Sequence, residues 1–142
     1  MKSRMRATWP MALIVGAVLV LMGCSSPAVY QMQSGERTAG ADGEMIVTMD
    51  DNGNQIVEMT VAHLPQPSQL EEQMSTYVVW LQPEGVSQRY NMGRITLNDD
   101  RTGALTFTTP FRQFDLMVTA EAEASETSPS DQVVLRQGVG TN

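Results

Sequence analysis

Alternation of apolar and polar residues is the feature that most constrains the fold of this 142-residue chain. From Glu44 to Leu135, apolar residues recur at every second position in short runs, for example at Met45 and Val47. A period of two places successive side chains on opposite faces of a strand, so each run predicts a half-buried β-strand. Residues 50–54 contain Asn-Gly and predict a hairpin turn between the first two strands.

The runs number seven, and we find no long amphipathic helix between them. They lie at residues 44–49, 57–61, 76–81, 89–97, 105–110, 114–121 and 133–135. The third run is continuously apolar and contains Trp80, so we expect a central strand that is buried on both faces. The spacing predicts an all-β fold, an immunoglobulin-like antiparallel β-sandwich of about seven strands, and a Trp on the third strand fits that architecture. A short helical turn is expected at residues 68–74, which lack β-branched residues over most of their length.

The first 23 residues have the organisation of an export signal. Lys2, Arg4 and Arg6 precede an uncharged, mostly apolar run over residues 9–22. A membrane-spanning helix needs about 20 apolar residues, so this shorter run predicts the signal helix of a cleaved signal peptide. A short uncleaved membrane anchor is the alternative interpretation.

The segment Leu21-Met22-Gly23-Cys24 resembles the lipobox of bacterial lipoproteins. In that family a branched apolar residue lies three positions before the cysteine and a small residue directly before it, although Met22 is an unusual middle residue. The resemblance covers only the N-terminal segment. It implies cleavage before Cys24, diacylglycerol on the Cys24 sulfur, with acyl chains such as palmitate, and often a third chain on the new amine. Two or three acyl chains anchor a protein stably, whereas one gives only marginal binding.

The same resemblance implies a location in the cell envelope. In a diderm organism, Ser25 in place of Asp after the cysteine implies the periplasmic side of the outer membrane. In a monoderm organism the protein would lie on the outer face of its only membrane. Cys24 is also the only cysteine, so we expect a domain without disulfides.

The sequence divides into four parts. A signal peptide over residues 1–23 precedes the acylated cysteine and a flexible linker over residues 24–43, the sandwich over residues 44–138 and a tail over residues 139–142. The linker is small and polar, apart from a brief Ala-Val-Tyr stretch that could dock on the domain. A coil of this length would span roughly 24 Å and would let the domain stand off the bilayer and reorient.

The charge of the processed chain limits its partners. Cleavage removes all lysines and leaves six arginines against 16 acids, a net charge of −10. Such a domain is repelled by phosphate-rich surfaces, so we expect no nucleic-acid binding. The expected partners are the membrane, through lipid on Cys24, and a neutral or basic envelope protein or cations.

Three segments resemble the extracytoplasmic domain of anti-sigma-K-type factors. They are Tyr77-Val78-Val79-Trp80-Leu81-Gln82-Pro83-Glu84-Gly85, Met92-Gly93-Arg94-Ile95 and Phe114-Asp115-Leu116-Met117-Val118-Thr119-Ala120-Glu121. In that family an aromatic-rich strand ends in Trp, the fourth strand contains Gly and a late strand ends in Glu. The similarity covers about half of the processed chain and implies a sandwich outside the cytoplasm. We expect neither the sigma-binding domain nor the transmembrane helix of that family here, so anti-sigma activity does not carry over.

Catalytic and metal-binding residue sets are incomplete. His63 is the only histidine, the serines lie in the linker and loops, and no Gly-x-Ser-x-Gly motif occurs, so we expect a non-enzyme without a cofactor. One histidine cannot build a zinc site. Copper could use His63 with Met45, Met49 and Met59, although alternation places these methionines inward. Residues 98–103 partly follow a calcium loop but lack its final Glu, and residues 50–53 misplace the glycine, so both predict turns first.

Topology suggests one binding surface. In an immunoglobulin-like sandwich the connections at residues 63–75, 98–103 and 122–131 meet at one end. They would bring together seven acids there: Glu71, Glu72, Asp99, Asp100, Glu123, Glu126 and Asp131. Loops on a rigid scaffold commonly carry binding, although acidic loops can also be merely solvated. The first strand would begin at this end and place the tether nearby.

These observations predict a membrane-anchored envelope lipoprotein that acts as a non-catalytic interaction or structural module. Its contact surface would be the acidic end or an exposed sheet edge. Two alternatives stay open: an extracytoplasmic protein that binds calcium or copper, and an envelope-stress sensing partner related to anti-sigma factor domains.

Overall fold

Two antiparallel sheets pack face to face in the computed structural model, which describes residues 26–140. The expected β-sandwich is therefore confirmed. The expected signal peptide, Cys24 and the last two residues of the chain lie outside the described residues. Among residues 26–140, no helix is long and apolar enough to cross a membrane.

The described residues form nine strands. They are β1 Ala28–Gln31, β2 Gln33–Ser34, β3 Asp42–Met49, β4 Gln55–Ala62, β5 Thr76–Pro83, β6 Tyr90–Ile95, β7 Gly103–Thr109, β8 Phe114–Glu121 and β9 Val133–Val139. A 3-10 turn spans Glu36–Thr38, and the expected helical turn is the four-residue α1 at Pro67–Leu70. The seven predicted strands correspond to β3 through β9.

The strand order is that of an immunoglobulin-like sandwich. Sheet 1 has the order β1-β3-β4-β7, and sheet 2 has the order β2-β9-β8-β5-β6. The first, second and fifth predicted strands thus share one sheet, and the third, sixth and seventh share the other. The fourth, β6, pairs with β5 along its length, so it belongs to sheet 2.

The core consists of the alternate residues that the two sheets turn toward each other. Met45, Met59 and Leu116 are each at most 1% exposed, as the period-two pattern predicts. Each fully buried apolar side chain of this kind contributes about 1.5–3 kcal/mol through removal from water. Met49 is not buried as the alternation predicts. It is the last residue of β3, where the other sheet no longer covers it, and it is 42% exposed.

The structure corrects the expected flexible linker, because much of it forms strands and a 3-10 turn of the domain. β1 pairs with β3, with Tyr30 opposite Met45, and β2 pairs with β9. Between these strands Met32 is buried, and the hydroxyl of Thr38 donates to the carbonyl of Val134 at 2.9 Å. The small polar composition concealed this because edge strands need only a few apolar contacts once a neighbouring strand supplies backbone partners. The domain therefore begins at β1, not at residue 44.

The pairing of β1 also fixes where the chain enters the domain. β1 runs antiparallel to β3, and Ala28 lies opposite Val47, near the end of β3 that leads into the turn at residues 50–54. We call this end of the sandwich, with its connections 50–54, 84–89 and 110–113, the hairpin end. The opposite end, with connections 35–41, 63–75, 96–102 and 122–132, is the loop end. Ser26 thus lies toward the hairpin end, and the expected position of the tether beside the acidic loops is wrong, because β1 carries the chain back from the start of β3.

β5 is buried on both faces, as expected, but Trp80 does not lie between the sheets. Val78 and Trp80 are at most 1% exposed, yet they lie outside the inter-sheet core formed by Tyr77, Val79 and Leu81. Their side chains occupy the outer face of sheet 2. Trp80 therefore resembles the core Trp of immunoglobulin domains only in lying on the third of the seven predicted strands, because its side chain is on the opposite face of the sheet.

Two five-residue turns have the same hydrogen-bond pattern but different residues at the fourth position. In residues 50–54 and 98–102, the first side-chain oxygen accepts from the fifth backbone N–H, at 2.8 and 3.0 Å. The fourth residue has a positive φ in both turns, 81° at Gly53 and 59° at Arg101. A left-handed conformation costs an L-residue about 1–2 kcal/mol, whereas glycine adopts it freely.

We therefore expect Arg101→Gly to stabilise the domain by about 0.5–1 kcal/mol, because relief of the left-handed strain exceeds the added entropy of the unfolded chain. Urea unfolding monitored by circular dichroism measures the change. Arg101→Ala is the matched control, since it removes the same side chain but retains the Cβ atom. Equal stability of the two variants would contradict the explanation.

Candidate functional site

The loop end brings together the three connections that sequence topology assigned to one end. β4, β6 and β8 finish there, and β5, β7 and β9 begin there, because neighbouring strands alternate in direction. All seven predicted acids belong to these connections. The individual loops differ in how they are held and in where they carry their acids.

Connection 63–75 is fastened to β5. The Tyr77 hydroxyl donates to the carbonyl of Pro65 at 2.8 Å, and burial raises the pKa of this phenol, so it remains a donor. The side chains of Leu64 and Met74 are buried beneath the loop. This packing leaves Glu71 half-buried and Glu72 exposed.

Connection 96–102 presents its acids at the tip of a closed turn. The side-chain oxygen of Asn98 accepts from both the backbone N–H and the hydroxyl of Thr102, at 3.0 and 2.9 Å. Asp99 and Asp100 are fully on the outside of this turn and are exposed. Their carboxylates are free of hydrogen bonds within the described part of the chain, so they are available to a partner.

Connection 122–132 folds away from the loop end and covers the outer face of sheet 2. The side-chain amide of Asn91, which lies opposite Trp80, donates to the carbonyls of Ala124 and Glu126, at 2.9 and 3.0 Å. The backbone of the connection is therefore held against β6 at Ala124 and Glu126, and the Glu126 side chain is half-buried. Glu123 and Asp131 stay exposed where the connection leaves β8 and enters β9.

A chain of buried hydrogen bonds, which we call the clasp, holds that connection down. It joins Trp80, Thr119, Glu121 and Ser130. The indole N–H of Trp80 donates to the Thr119 hydroxyl at 2.8 Å, and this hydroxyl donates to the Glu121 carboxylate. The same carboxylate oxygen accepts the backbone N–H of Ser130 at 2.7 Å, whose hydroxyl donates to the carbonyl of Ala120. Glu121 is only 3% exposed, and its carboxylate holds the connection in place through these hydrogen bonds.

The loop end is acidic without forming a metal cage. Its four connections hold eight acids and two arginines, whereas those at the hairpin end hold three acids and two arginines. Within residues 26–140, no group of three or more His, Cys, Asp or Glu side chains is arranged to hold a metal ion. The arrangement produces a negative potential that attracts a basic surface, spread over several loops.

The residues considered for cations do not come together. Met45 and Met59 face each other in the core, Met49 lies at the hairpin end and His63 lies at the loop end. The side chain of His63 is exposed and makes a 2.8 Å hydrogen bond from Nδ1 to Asp42. In the turn at residues 50–54, the Asp50 carboxylate accepts hydrogen bonds from Asn54 and from Asn52, and these bonds hold the pKa of Asp50 below its usual range. Its oxygens are therefore occupied by the turn itself.

Sequence reasoning missed a groove of about 310 Å³ on the outer face of sheet 2. Trp80 and Met117 form its floor, and its rim carries two arginines, Arg89 and Arg136. The Nε of Arg89 donates to the Gln82 side chain at 3.0 Å. The groove is lined by Gln33, Trp80, Gln82, Arg89, Asp115, Leu116, Met117, Arg136, Gln137 and Gly138.

The chemistry of this groove is hydrogen bonding and charge pairing. No salt bridge joins an arginine to a carboxylate anywhere in residues 26–140, so neither rim guanidinium is neutralised by a bonded acid. The lining has no serine, histidine or lysine, and its one carboxylate is that of Asp115. Outward positions at every second residue were visible in the sequence, but joining residues 80, 117 and 136 required the strand order.

Comparison with known proteins adds no relative to this description. No protein-family model matches the chain, and no curated protein matches it.

The clasp makes a direct prediction. Glu121→Ala removes the shared acceptor and leaves the Thr119 hydroxyl and the Ser130 N–H without it, so we expect a loss of about 1–3 kcal/mol in the free energy of unfolding. In protein that starts at residue 24, Trp80 is the only tryptophan. When connection 122–132 detaches from sheet 2, the emission of Trp80 should shift to the red and its indole ring should become accessible to quenching by acrylamide.

Glu123→Ala is the matched control, because Glu123 lies in the same connection but is exposed and accepts only a long 3.4 Å bond from Ser125. It should leave both stability and fluorescence unchanged. Unaltered acrylamide quenching in the Glu121 variant would show that the clasp does not hold the connection.

Proposed function

We propose that this protein is a lipid-anchored envelope lipoprotein that acts as a non-catalytic interaction module. The observation that carries the proposal is the separation of the two ends. The chain enters the domain toward the hairpin end, and four connections of varied sequence lie at the loop end. A domain held at its entry end presents its loops outward, and loops on a rigid sandwich are a common place for binding.

The anchor rests on the sequence of the N-terminal segment. A basic start, an uncharged run over residues 9–22 and the lipobox-like Leu21-Met22-Gly23-Cys24 support acylation of Cys24. The structure is compatible with this, because the two sheets and the core between them lie within residues 28–139. Export by this route places the domain outside the cytoplasm.

The expected partner is a basic or neutral surface of another envelope protein. The exposed carboxylates of Glu72, Asp99 and Asp100 speed the approach of a positive partner and disfavour a negative one. The groove on sheet 2 is a second surface that could contact a polar or anionic group through Arg89 and Arg136.

The cation-binding alternative has less support than the interaction module. The four side chains considered for copper lie at both ends and in the core, and in the two turns considered for calcium the side-chain oxygens of Asp50 and Asn98 accept hydrogen bonds within the turn. Calorimetric titration with calcium and with copper tests it directly. The stress-sensing alternative rests on the anti-sigma resemblance, and a sigma-factor gene next to this one would favour it.

Cys24→Ser tests the anchor. We expect the variant to lose incorporation of labelled palmitate and processing before residue 24, because only a thiol accepts the diacylglycerol group. Metabolic labelling and N-terminal sequencing of the membrane fraction measure both effects. Ser25→Ala is the control and should be labelled and processed normally, whereas normal labelling of the Cys24 variant would contradict the anchor.

Neutralising the loop end tests the partner surface. We expect Glu71→Gln, Glu72→Gln, Asp99→Asn and Asp100→Asn together to abolish the partner captured by cross-linking in intact cells, as read by mass spectrometry. Asp51→Asn with Glu84→Gln neutralises acids at the hairpin end and should preserve it. Recovery of the same partner from both variants would exclude the loop end as the contact surface.

A further inference from the structure

We infer that the hairpin end of the sandwich lies against the lipid surface, so that the domain has a fixed orientation on the membrane. This inference rests on the proposed lipid at Cys24 and extends it from an anchor to a docked face. Three independent features support it: the reach of the chain, the placement of exposed apolar side chains and the distribution of charge.

The chain is too short for the domain to move far from its anchor. Cys24 is two residues before Ser26, and two extended residues span at most about 7 Å. The residues expected to give a long tether are instead built into β1, β2 and the 3-10 turn. An acylated Cys24 would therefore keep Ser26, and with it the hairpin end, close to the lipid headgroups.

The exposed large apolar side chains lie on the same half of the domain. In residues 26–140 they are Val29, Met49, Val86 and Tyr90, with exposures of 60%, 42%, 39% and 38%. Met49 ends β3, Val86 lies in connection 84–89 and Tyr90 begins β6, all at the hairpin end. Val29 lies in β1, opposite Ile46.

An aromatic pair adds to this surface. Tyr90 stacks on Phe111 of connection 110–113, with ring centroids 5.9 Å apart. Tyrosine is favoured at the membrane interface because its ring is apolar and its hydroxyl remains hydrated. Met49, Val86 and Tyr90 lie at the hairpin end itself, so a lipid surface at that end would remove their exposed apolar area from water.

Charge favours the same orientation. The connections at the hairpin end are nearly balanced, with three acids against two arginines, whereas those at the loop end have eight acids against two arginines. Bacterial membrane surfaces are commonly anionic, and like charges repel across a Debye length of about 8–10 Å. The orientation with the hairpin end down keeps the strongest negative charge farthest from the bilayer.

The acylated and processed protein, which begins at Cys24, provides the test after reconstitution in vesicles of phosphatidylethanolamine and phosphatidylglycerol. Cys24 is the only cysteine, so Val86→Cys supplies the only free thiol for an environment-sensitive fluorophore. Asp99→Cys at the loop end is the matched control, and Val29→Cys is a second reporter on the hairpin half. Nitroxide-labelled lipids serve as quenchers.

We expect the fluorophore at residues 86 and 29 to emit at shorter wavelength and to be quenched by the lipid nitroxides, whereas that at residue 99 stays unquenched. Equal signals at all three positions, with the protein still sedimenting with the vesicles, would overturn the orientation while leaving the anchor intact. Acylated protein that fails to sediment with vesicles would overturn the anchor and the orientation together.

Discussion

Burial of one apolar face of each sheet against the other is the constraint on which the rest of this structure depends. Antiparallel strands must cross the core in alternating directions, so their connections separate into two groups at opposite ends. Connections 63–75, 96–102 and 122–132 thereby share the loop end, although they are far apart in sequence. The position of β1 against β3 then decides which end receives the chain from its N-terminal segment.

On the outer face of sheet 2, a loop held by polar hydrogen bonds covers apolar side chains in place of another sheet. Trp80 and Val78 are buried there although no third sheet covers them. Connection 122–132 covers them instead, and the Glu121 carboxylate satisfies donors from β8 and from the connection. Such a network specifies one loop conformation because each buried donor needs its partner. It also explains why an acidic, Ser-rich segment that reads as a free loop is ordered.

Several functional features depend on one another through this arrangement. The Asn91 side chain holds the backbone of connection 122–132 against sheet 2 at Ala124 and Glu126, while Glu123 and Asp131 stay exposed at the edges of this connection. Below the covered part of sheet 2, the open groove exposes Arg89 and Arg136 beside the floor formed by Trp80 and Met117. The domain thus has an acidic end, a groove rimmed by arginines on one face and a hairpin end with exposed apolar side chains, and each surface suits a different neighbour.

The sequence by itself determined the strands β3 to β9, the hairpin at residues 50–54 and the sandwich, because alternation and turn residues act locally. It also determined the net charge and the lipobox-like segment. Only the tertiary structure decided that residues 28–34 are edge strands, that Trp80 faces outward and that residues 80, 117 and 136 line one groove. These depend on which strands are neighbours and on what covers each face, and such contacts join residues whose separation along the chain leaves no local signal.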